Sequence, residues 1–169
     1  MGKFRWAFIG AGTLAGQVAK EITHSGRHDI VSVYTRSYEK CVKFAESCGA
    51  LPARSAEEAI SAPDVDAVYI ATPHNSHYEY AKLALNLGKP VLCEKALTVS
   101  AKEAEELVCL ARDKKLYFSE AMWTWFSPIA NKVKEWLDKG EYGEIEDVKL
   151  SYHMNSIKYA PRVSDPNRA

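Results

Sequence analysis

Short apolar runs alternate with helix-spaced apolar residues from the first strand-like segment to about residue 120, and this alternation constrains the fold more than any other feature. Phe4 to Ile9 reads as a buried strand. Between Thr13 and Ser25, Leu14, Val18 and Ile22 fall on one helix face, and Gly26 follows as a stop. Ile30 to Tyr34 is a second strand, and Cys41, Phe44, Ala45 and Cys48 line a helix ending at Gly49. A short edge strand is expected near Leu51. Ser55-Ala-Glu-Glu then reads as a capping box, with Glu58 reaching back. Ala67 to Ala71, Val91 to Cys93 and Leu116 to Ser119 are further strands. The helix carrying Tyr80, Leu83, Ala84 and Leu87 closes at Gly88. A second capping box, Ser100 with Glu103, opens the helix of Ala104, Leu107, Val108 and Ala111. A β-α-β-α series with short connections predicts an α/β fold, a doubly wound parallel sheet with helices on both faces.

The pattern changes after Glu120. Trp123, Trp125 and Phe126 crowd together, and Ser127 caps a helix with Pro128 at its first position. Ile129, Val133, Trp136 and Leu137 form its apolar stripe and Gly140 ends it. Ile145 to Met154 reads as a long strand, followed by a polar tail with Pro161 and Pro166 and no periodicity. We therefore expect a first domain over residues 1–121. Residues 122–169 are expected to begin a C-terminal domain, truncated because so short a stretch is too small for a core of its own.

Charge narrows the partners. Lys+Arg and Asp+Glu both number 22, giving a net charge of +0, so no general field draws nucleic acid or an anionic membrane. No apolar run is long enough to span a bilayer, and the start of the chain lacks a signal-like apolar region. Cys41, Cys48, Cys93 and Cys109 form no C-x-x-C pair and no zinc spacing with histidine. No metal is expected, and the cysteines read as buried, reduced thiols of a cytoplasmic protein.

Gly10-Ala11-Gly12-Thr13-Leu14-Ala15 joins the first strand to the first helix and fits G-x-G-x-x-A. Gly10 permits the tight turn, Gly12 lets a pyrophosphate approach the backbone, and Ala15 keeps the helix close to the sheet. The exposed N–H groups from Gly12 to Leu14, at the positive end of the helix dipole, hold phosphate. A purely structural turn and a methyltransferase loop are the alternatives.

The end of the second strand bears on that choice. NAD sites and methyltransferases usually place Asp or Glu there for the ribose hydroxyls, whereas this chain has Thr35-Arg36-Ser37. Arg36 offers a planar fork and Ser37 a hydroxyl for a 2′-phosphate, so NADP is favoured, with NAD as the alternative. Arg36 as a solvated loop arginine is the plainer reading. Thr72-Pro73-His74-Asn75-Ser76-His77 follows a later strand at the same edge. Pro73 stiffens this loop and His77 is placed to face the nicotinamide, although His74 and His77 also suit surface or capping roles. Cys93-Glu94-Lys95 ends the next strand. A buried Lys95 can polarise a substrate hydroxyl, and Glu94 can hold it or contact the cofactor. A plain Glu–Lys surface pair is the alternative.

Gly10–Gly16, Ala71–His77, Gly88–Thr98 and Glu120–Pro128 resemble the Gfo/Idh/MocA family of glucose–fructose oxidoreductase and inositol dehydrogenase type. Gly88-Lys89-Pro90-Val91-Leu92-Cys93-Glu94-Lys95 is the most specific of these stretches. Glu120-Ala121-Met122-Trp123-Thr124 resembles the branch of dihydrodiol dehydrogenase and NADP-dependent xylose dehydrogenase, and Arg162 to Ala169 resembles the approach to the family's next motif. The resemblance implies a Rossmann domain followed by an α/β substrate domain whose open sheet commonly forms an oligomer interface, hence a homo-oligomer. It also implies hydride transfer between NADP and a hydroxyl or carbonyl carbon of a sugar, polyol or diol, with Lys95 catalytic. Two positions depart from the family pattern: Ala96 stands where Glu-Lys-Pro has proline, and Trp125 where the nearest branch usually has arginine. The family's acid/base partner is expected beyond Ala169, and neither Tyr152 nor Tyr159 matches it. This chain is therefore expected to hold cofactor without completing turnover by itself. A non-catalytic NAD(P)-binding or sensor module on the same fold is the competing reading.

Overall fold

The computed structural model describes residues 2–151. The elements run β1 (Phe4–Ile9), α1 (Thr13–His24), β2 (His28–Tyr34), α2 (Tyr38–Cys48), β3 (Leu51–Pro52), α3 (Ala56–Ser61), β4 (Ala67–Ile70), α4 (His77–Asn86), β5 (Val91–Cys93), α5 (Ala101–Asp113), β6 (Phe118–Glu120) and α6 (Pro128–Asp138). The six strands form one sheet in the order β3-β2-β1-β4-β5-β6, and every pairing is parallel. This is the expected doubly wound Rossmann arrangement. From β1 the chain works outward through β2 to β3, then returns to β4 on the other side of β1. The strand order reverses between β1 and β4, and the loops leaving their carboxyl ends diverge there into a crevice.

Strand alternation decides which helix covers which face. Ala7 and Ile9 of β1, with Val68 and Ile70 of β4, pack with Ala59 and Ile60 of α3, Ala81, Ala84 and Leu85 of α4, and Leu107 of α5. The intervening Phe8 and Tyr69 point to the opposite face, against Ala15 and Ala19 of α1 and Cys41 and Ala45 of α2. All four residues of β4 are buried because helices cover both of its faces. Each fully buried Ile, Leu or Phe in these layers contributes about 1.5–3 kcal/mol. Alanines at the helix contacts let α1 and α4 lie close to the sheet.

Helix starts follow the sequence reading, with differences in detail. Ser55 Oγ accepts from the Glu58 N–H at 3.0 Å, but the Glu58 carboxylate bonds the Arg54 N–H at 2.7 Å rather than that of the cap residue. Ser100 Oγ accepts from the Glu103 N–H at 3.3 Å, whereas Oε2 of Glu103 is buried with no hydrogen-bond partner, so that box closes on one side only. Pro128 does occupy the first turn of α6, but the Ser127 side chain makes no cap bond. Cys41 and Cys93 are buried, while Cys48 is half-buried and Cys109 exposed on α5, which corrects the expectation of four buried thiols. An apolar neighbourhood in sequence does not fix which helix face a residue occupies.

The chain separates into two compact units, one ending at Ala121 and the other beginning at Met122. The second holds a short 3₁₀ turn at Trp123–Phe126 and then α6. Trp123, Trp125, Phe126 and Ile129 are exposed there. The strand expected over 145–154 is not formed across 145–151, where the backbone has no regular structure; residues 152–154, with Tyr152, and Tyr159 lie outside the described residues. A strand needs a neighbour to take up its backbone N–H and C=O groups, and no strand runs beside this segment among the described residues. No helix among them is long and apolar enough to cross a membrane.

Candidate functional site

Four of the loops at the carboxyl edge of the sheet carry the candidate residues, and backbone hydrogen bonds fix where each begins. Gly10 N–H donates to Tyr34 O at 2.8 Å, Ala71 N–H to Ile9 O at 2.8 Å, and Glu94 N–H to Ile70 O at 2.9 Å. The loops after β1, β2, β4 and β5 therefore start level with one another. They carry Gly10 to Leu14, Arg36 and Ser37, Thr72 to His77, and Glu94 and Lys95. Apart from His77, the candidates spread through the sequence stand along one rim.

The two glycines of the first loop do different work. Gly10 has φ +109, and a Cβ there would lie 2.4 Å from Ala71 O. The loops after β1 and β4 touch at this point, so only glycine fits. Gly12, with φ −83, has nothing within 4 Å of its would-be Cβ and is the N-cap residue of α1. No side chain caps α1 and no acidic residue lies in its first turn. By contrast, Ser37, Ser55 and Ser100 cap α2, α3 and α5. An uncapped helix start behind an open glycine is a cradle for a pyrophosphate: it offers N–H donors and a positive dipole end, and leaves room for the ligand. Gly12, Thr13 and Leu14 are all exposed, while Ala15 beneath them is buried against the sheet. A cavity of about 300 Å³ adjoins this loop between α1 and α2, lined by Gly12, Thr13, Lys20, Phe44 and Cys48 among others. It touches none of Thr72, Glu94 or Lys95, so it lies behind the phosphate loop rather than in the crevice.

Arg36 and Ser37 are exposed at the end of β2. Ser37 Oγ accepts from the Lys40 N–H at 3.5 Å as the cap of α2, which leaves its hydroxyl proton available to a ligand. Arg36 has no carboxylate within ion-pair distance among the described residues.

The loop after β4 is braced internally. Ser76 Oγ lies 2.9 Å from Thr72 Oγ1 and donates to Pro73 O at 2.8 Å. His77 is fully buried rather than lining the rim. Its Nε2 lies 2.9 Å from Thr72 O and its Nδ1 2.9 Å from Ala96 O. The ring thus bridges the loop after β4 to the loop after β5, one residue beyond Lys95.

That second loop is held at several points. Tyr69 Oη donates to Glu94 Oε1 at 2.7 Å, and Lys95 N–H donates to Glu94 Oε2 at 3.3 Å. Glu120 Oε1 accepts from the Leu97 N–H at 2.9 Å. Burial raises the Tyr69 phenol far above its ordinary range, and the Glu94 carboxylate raises it further, so it stays a proton donor. Burial likewise pushes the Cys93 thiol up, with Glu94 and Glu120 adding to the effect. Glu94 is thus secured by Tyr69 and by the Lys95 backbone, not by the Lys95 ammonium. Lys95 is exposed, where the sequence reading has it buried, and has no carboxylate partner among the described residues. A cation on an anchored loop at the crevice rim is free to meet a ligand oxygen. The peptide between Lys95 and Ala96 is cis.

Residues 4–122 match the family described as the oxidoreductase family with an NAD-binding Rossmann fold, Gfo/Idh/MocA. The chain belongs to this family. Among curated Gfo/Idh/MocA relatives, it is 38% identical to the D-xylose 1-dehydrogenase (NADP(+)) of Hypocrea jecorina, over 90% of this chain and 43% of that protein. It is 32% identical to the trans-1,2-dihydrobenzene-1,2-diol dehydrogenase of Homo sapiens, over 98% of this chain and 50% of that protein. The chain spans about half the length of the curated relatives it matches. Among solved structures, the 3-ketoreductase KijD10 from Actinomadura kijaniata, in complex with NADP, superposes with a TM-score of 0.76 at 30% identity, covering 85% of this chain and 46% of that one. An NAD-binding oxidoreductase from Klebsiella pneumoniae gives 0.78 at 25% identity, covering 84% and 40%.

Two contacts that hold this Gfo/Idh/MocA rim are not legible in the sequence. Tyr69 reads as one more apolar strand residue, and its bond to Glu94 spans 25 positions. Glu120 stands just past the strand read over Leu116 to Ser119, and its bond from the Leu97 N–H spans 23 positions.

Proposed function

We infer that this chain forms the cofactor half of an NADP-dependent oxidoreductase that transfers a hydride to or from a CH–OH carbon of a sugar, polyol or diol. The observation that carries the reading is the pairing of an open, uncapped glycine cradle with an Arg36–Ser37 strand end free of carboxylate. Gly10, Gly12, Thr13 and Leu14 would hold the pyrophosphate, and Arg36 and Ser37 the 2′-phosphate. Thr72 and Pro73 would form the wall beside the nicotinamide, and Glu94 and Lys95 the rim facing the substrate. The bound cofactor supplies the hydride chemistry at its nicotinamide ring. The Lys95 ammonium donates a hydrogen bond to the substrate oxygen and stabilises charge gathering there. Glu94, held by Tyr69, fixes the backbone that carries Lys95. The relatives' names, D-xylose 1-dehydrogenase (NADP(+)) and dihydrodiol dehydrogenase, support the substrate class.

In the same reading, residues 122–169 begin the substrate domain and the protein is a cytoplasmic homo-oligomer. Family membership and four unpaired thiols support this. The test is a titration of this chain with NADPH, NADH and S-adenosylmethionine, followed by assays of aldoses, polyols and diols with NADP on a protein extended through the substrate domain. NADPH should bind at least about 10-fold tighter than NADH, as expected where an arginine fork meets a phosphate. Equal affinities would remove the NADP assignment. Full turnover by a Lys95→Met variant would remove the role of Lys95, and NADPH binding with no turnover on any substrate would favour a sensor module.

A further inference from the structure

We propose that Arg54 is a second recognition residue for the cofactor's 2′-phosphate, closing around it from the β3 side while Arg36 and Ser37 approach from β2. The proposal rests on the NADP reading above and adds a residue to it.

The sheet register brings the two loops together. Ser32 pairs with Leu51 and Val33 with Pro52 in parallel, and Ala53 N–H donates to Val33 O at 2.8 Å. Arg54 therefore leaves the carboxyl edge beside the point where β2 gives way to Thr35-Arg36-Ser37, one strand spacing away, about 4.8 Å. The Arg54 side chain then turns toward that loop. Its guanidinium carbon sits 4.6 Å from the centre of the Tyr38 ring, and Tyr38 follows Ser37 directly as the first residue of α2. A guanidinium stacked on an aromatic face keeps its N–H edges pointing outward in the ring plane, ready for an anion.

The acids nearby leave those edges alone. The Glu58 carboxylate takes the Arg54 backbone N–H at 2.7 Å, and neither Arg54 nor Arg36 has a carboxylate within ion-pair distance among the described residues. Arg5 shows the contrast, since it is paired with both Asp64 and Asp66. Two guanidinium groups without a carboxylate partner, one of them pre-oriented on Tyr38, flank a serine hydroxyl at the start of a helix. That donor set suits a dianionic phosphate monoester and offers nothing to a bare ribose 2′-hydroxyl that Arg36 does not already offer. Arg54 thus sharpens discrimination between NADP and NAD.

The experiment measures dissociation constants for NADPH, NADH, 2′,5′-ADP, 5′-AMP and inorganic phosphate with the wild-type chain and with Arg54→Gln, Tyr38→Leu and Tyr38→Phe. Arg54→Gln should weaken NADPH and 2′,5′-ADP about 10-fold, the effect of one charge-assisted contact. NADH and 5′-AMP should change less than about 2-fold. Tyr38→Leu should weaken the phosphorylated ligands about 3-fold, and Tyr38→Phe, which keeps the ring face, should leave them as in wild type. Equal weakening of NADPH and NADH by Arg54→Gln, or no weakening of either, overturns the proposal while leaving the NADP reading intact. Inorganic phosphate competing as well as 2′,5′-ADP also overturns it, since the site would then be a generic anion patch. A wild-type chain that binds NADH as tightly as NADPH overturns both.

Discussion

Gly10 and Gly12 belong to one loop but should respond to the same substitution in opposite ways. In Gly10→Ala the new methyl would lie 2.4 Å from Ala71 O and 2.7 Å from Ala71 C, with the residue held at φ +109. The backbone conformation alone costs about 1–3 kcal/mol for an L side chain. Relieving the overlap requires the β1 and β4 loops to separate, since both offending atoms are backbone, which adds about 1–3 kcal/mol. The total, about 2–6 kcal/mol, is a large share of the roughly 5–15 kcal/mol that holds a domain together. At Gly12 φ is −83 and nothing lies within 4 Å, so alanine fits. The weaker N-cap preference of alanine and the lower entropy of its unfolded chain nearly cancel, leaving stability within about 1 kcal/mol of wild type. The methyl does fill the space a pyrophosphate needs, so NADPH affinity should fall about 10-fold or more, the loss of at least one close hydrogen bond. Urea unfolding followed by far-UV circular dichroism reads the first effect, and NADPH titration of the folded Gly12→Ala protein the second. A Gly10→Ala midpoint equal to wild type would refute the argument, as would a Gly12→Ala protein that unfolds early or binds NADPH normally.

Other expectations follow from the buried and ion-paired groups. His77→Phe fills much of the same volume but leaves Thr72 O and Ala96 O without their partner. It should cost about 1–3 kcal/mol by thermal melting and also weaken NADPH binding, whereas unchanged stability would mean that the bridge contributes nothing to the fold. Asp66 is held below the ordinary aspartate range first by its hydrogen bond from the Arg5 side chain, with the Arg5 N–H also donating to it at 2.8 Å. A depressed carboxylate stabilises the fold above its unfolded value, about 3.9, and that contribution is lost as pH falls through the lower native value. Asp66→Asn should therefore flatten the acid limb of a stability–pH profile below about pH 4 and change the profile near neutrality only by a constant offset. An unaltered acid limb would place the responsible group elsewhere.

Much of this fold is legible in the chain because it depends on neighbours in sequence. Short apolar runs mark β1 and β4, the 3.6 spacing marks α1, α2, α4 and α5, and Ser55 and Ser100 announce the starts of α3 and α5. The glycine loop is legible for the same reason: turn, phosphate approach and helix start all lie within six consecutive residues. The segment after residue 144 reads as a strand from its pattern, yet pattern supplies no pairing partner, and 145–151 has no regular structure.

Contacts between elements were decided elsewhere. Strand order placed Tyr69 under Glu94, the β2–β3 register put Arg54 beside Tyr38, and the packing of α4 drove His77 inward between two loops that its sequence position suggested it would face from outside. Lys95 lost Glu94 as a side-chain partner because Tyr69, 25 residues earlier than Glu94, reached that carboxylate from the neighbouring strand. Residue order alone determines the period of each segment, since that depends on backbone geometry over a few residues. Only the assembled sheet determines which segments lie side by side, because that is settled by burying all the apolar faces at once.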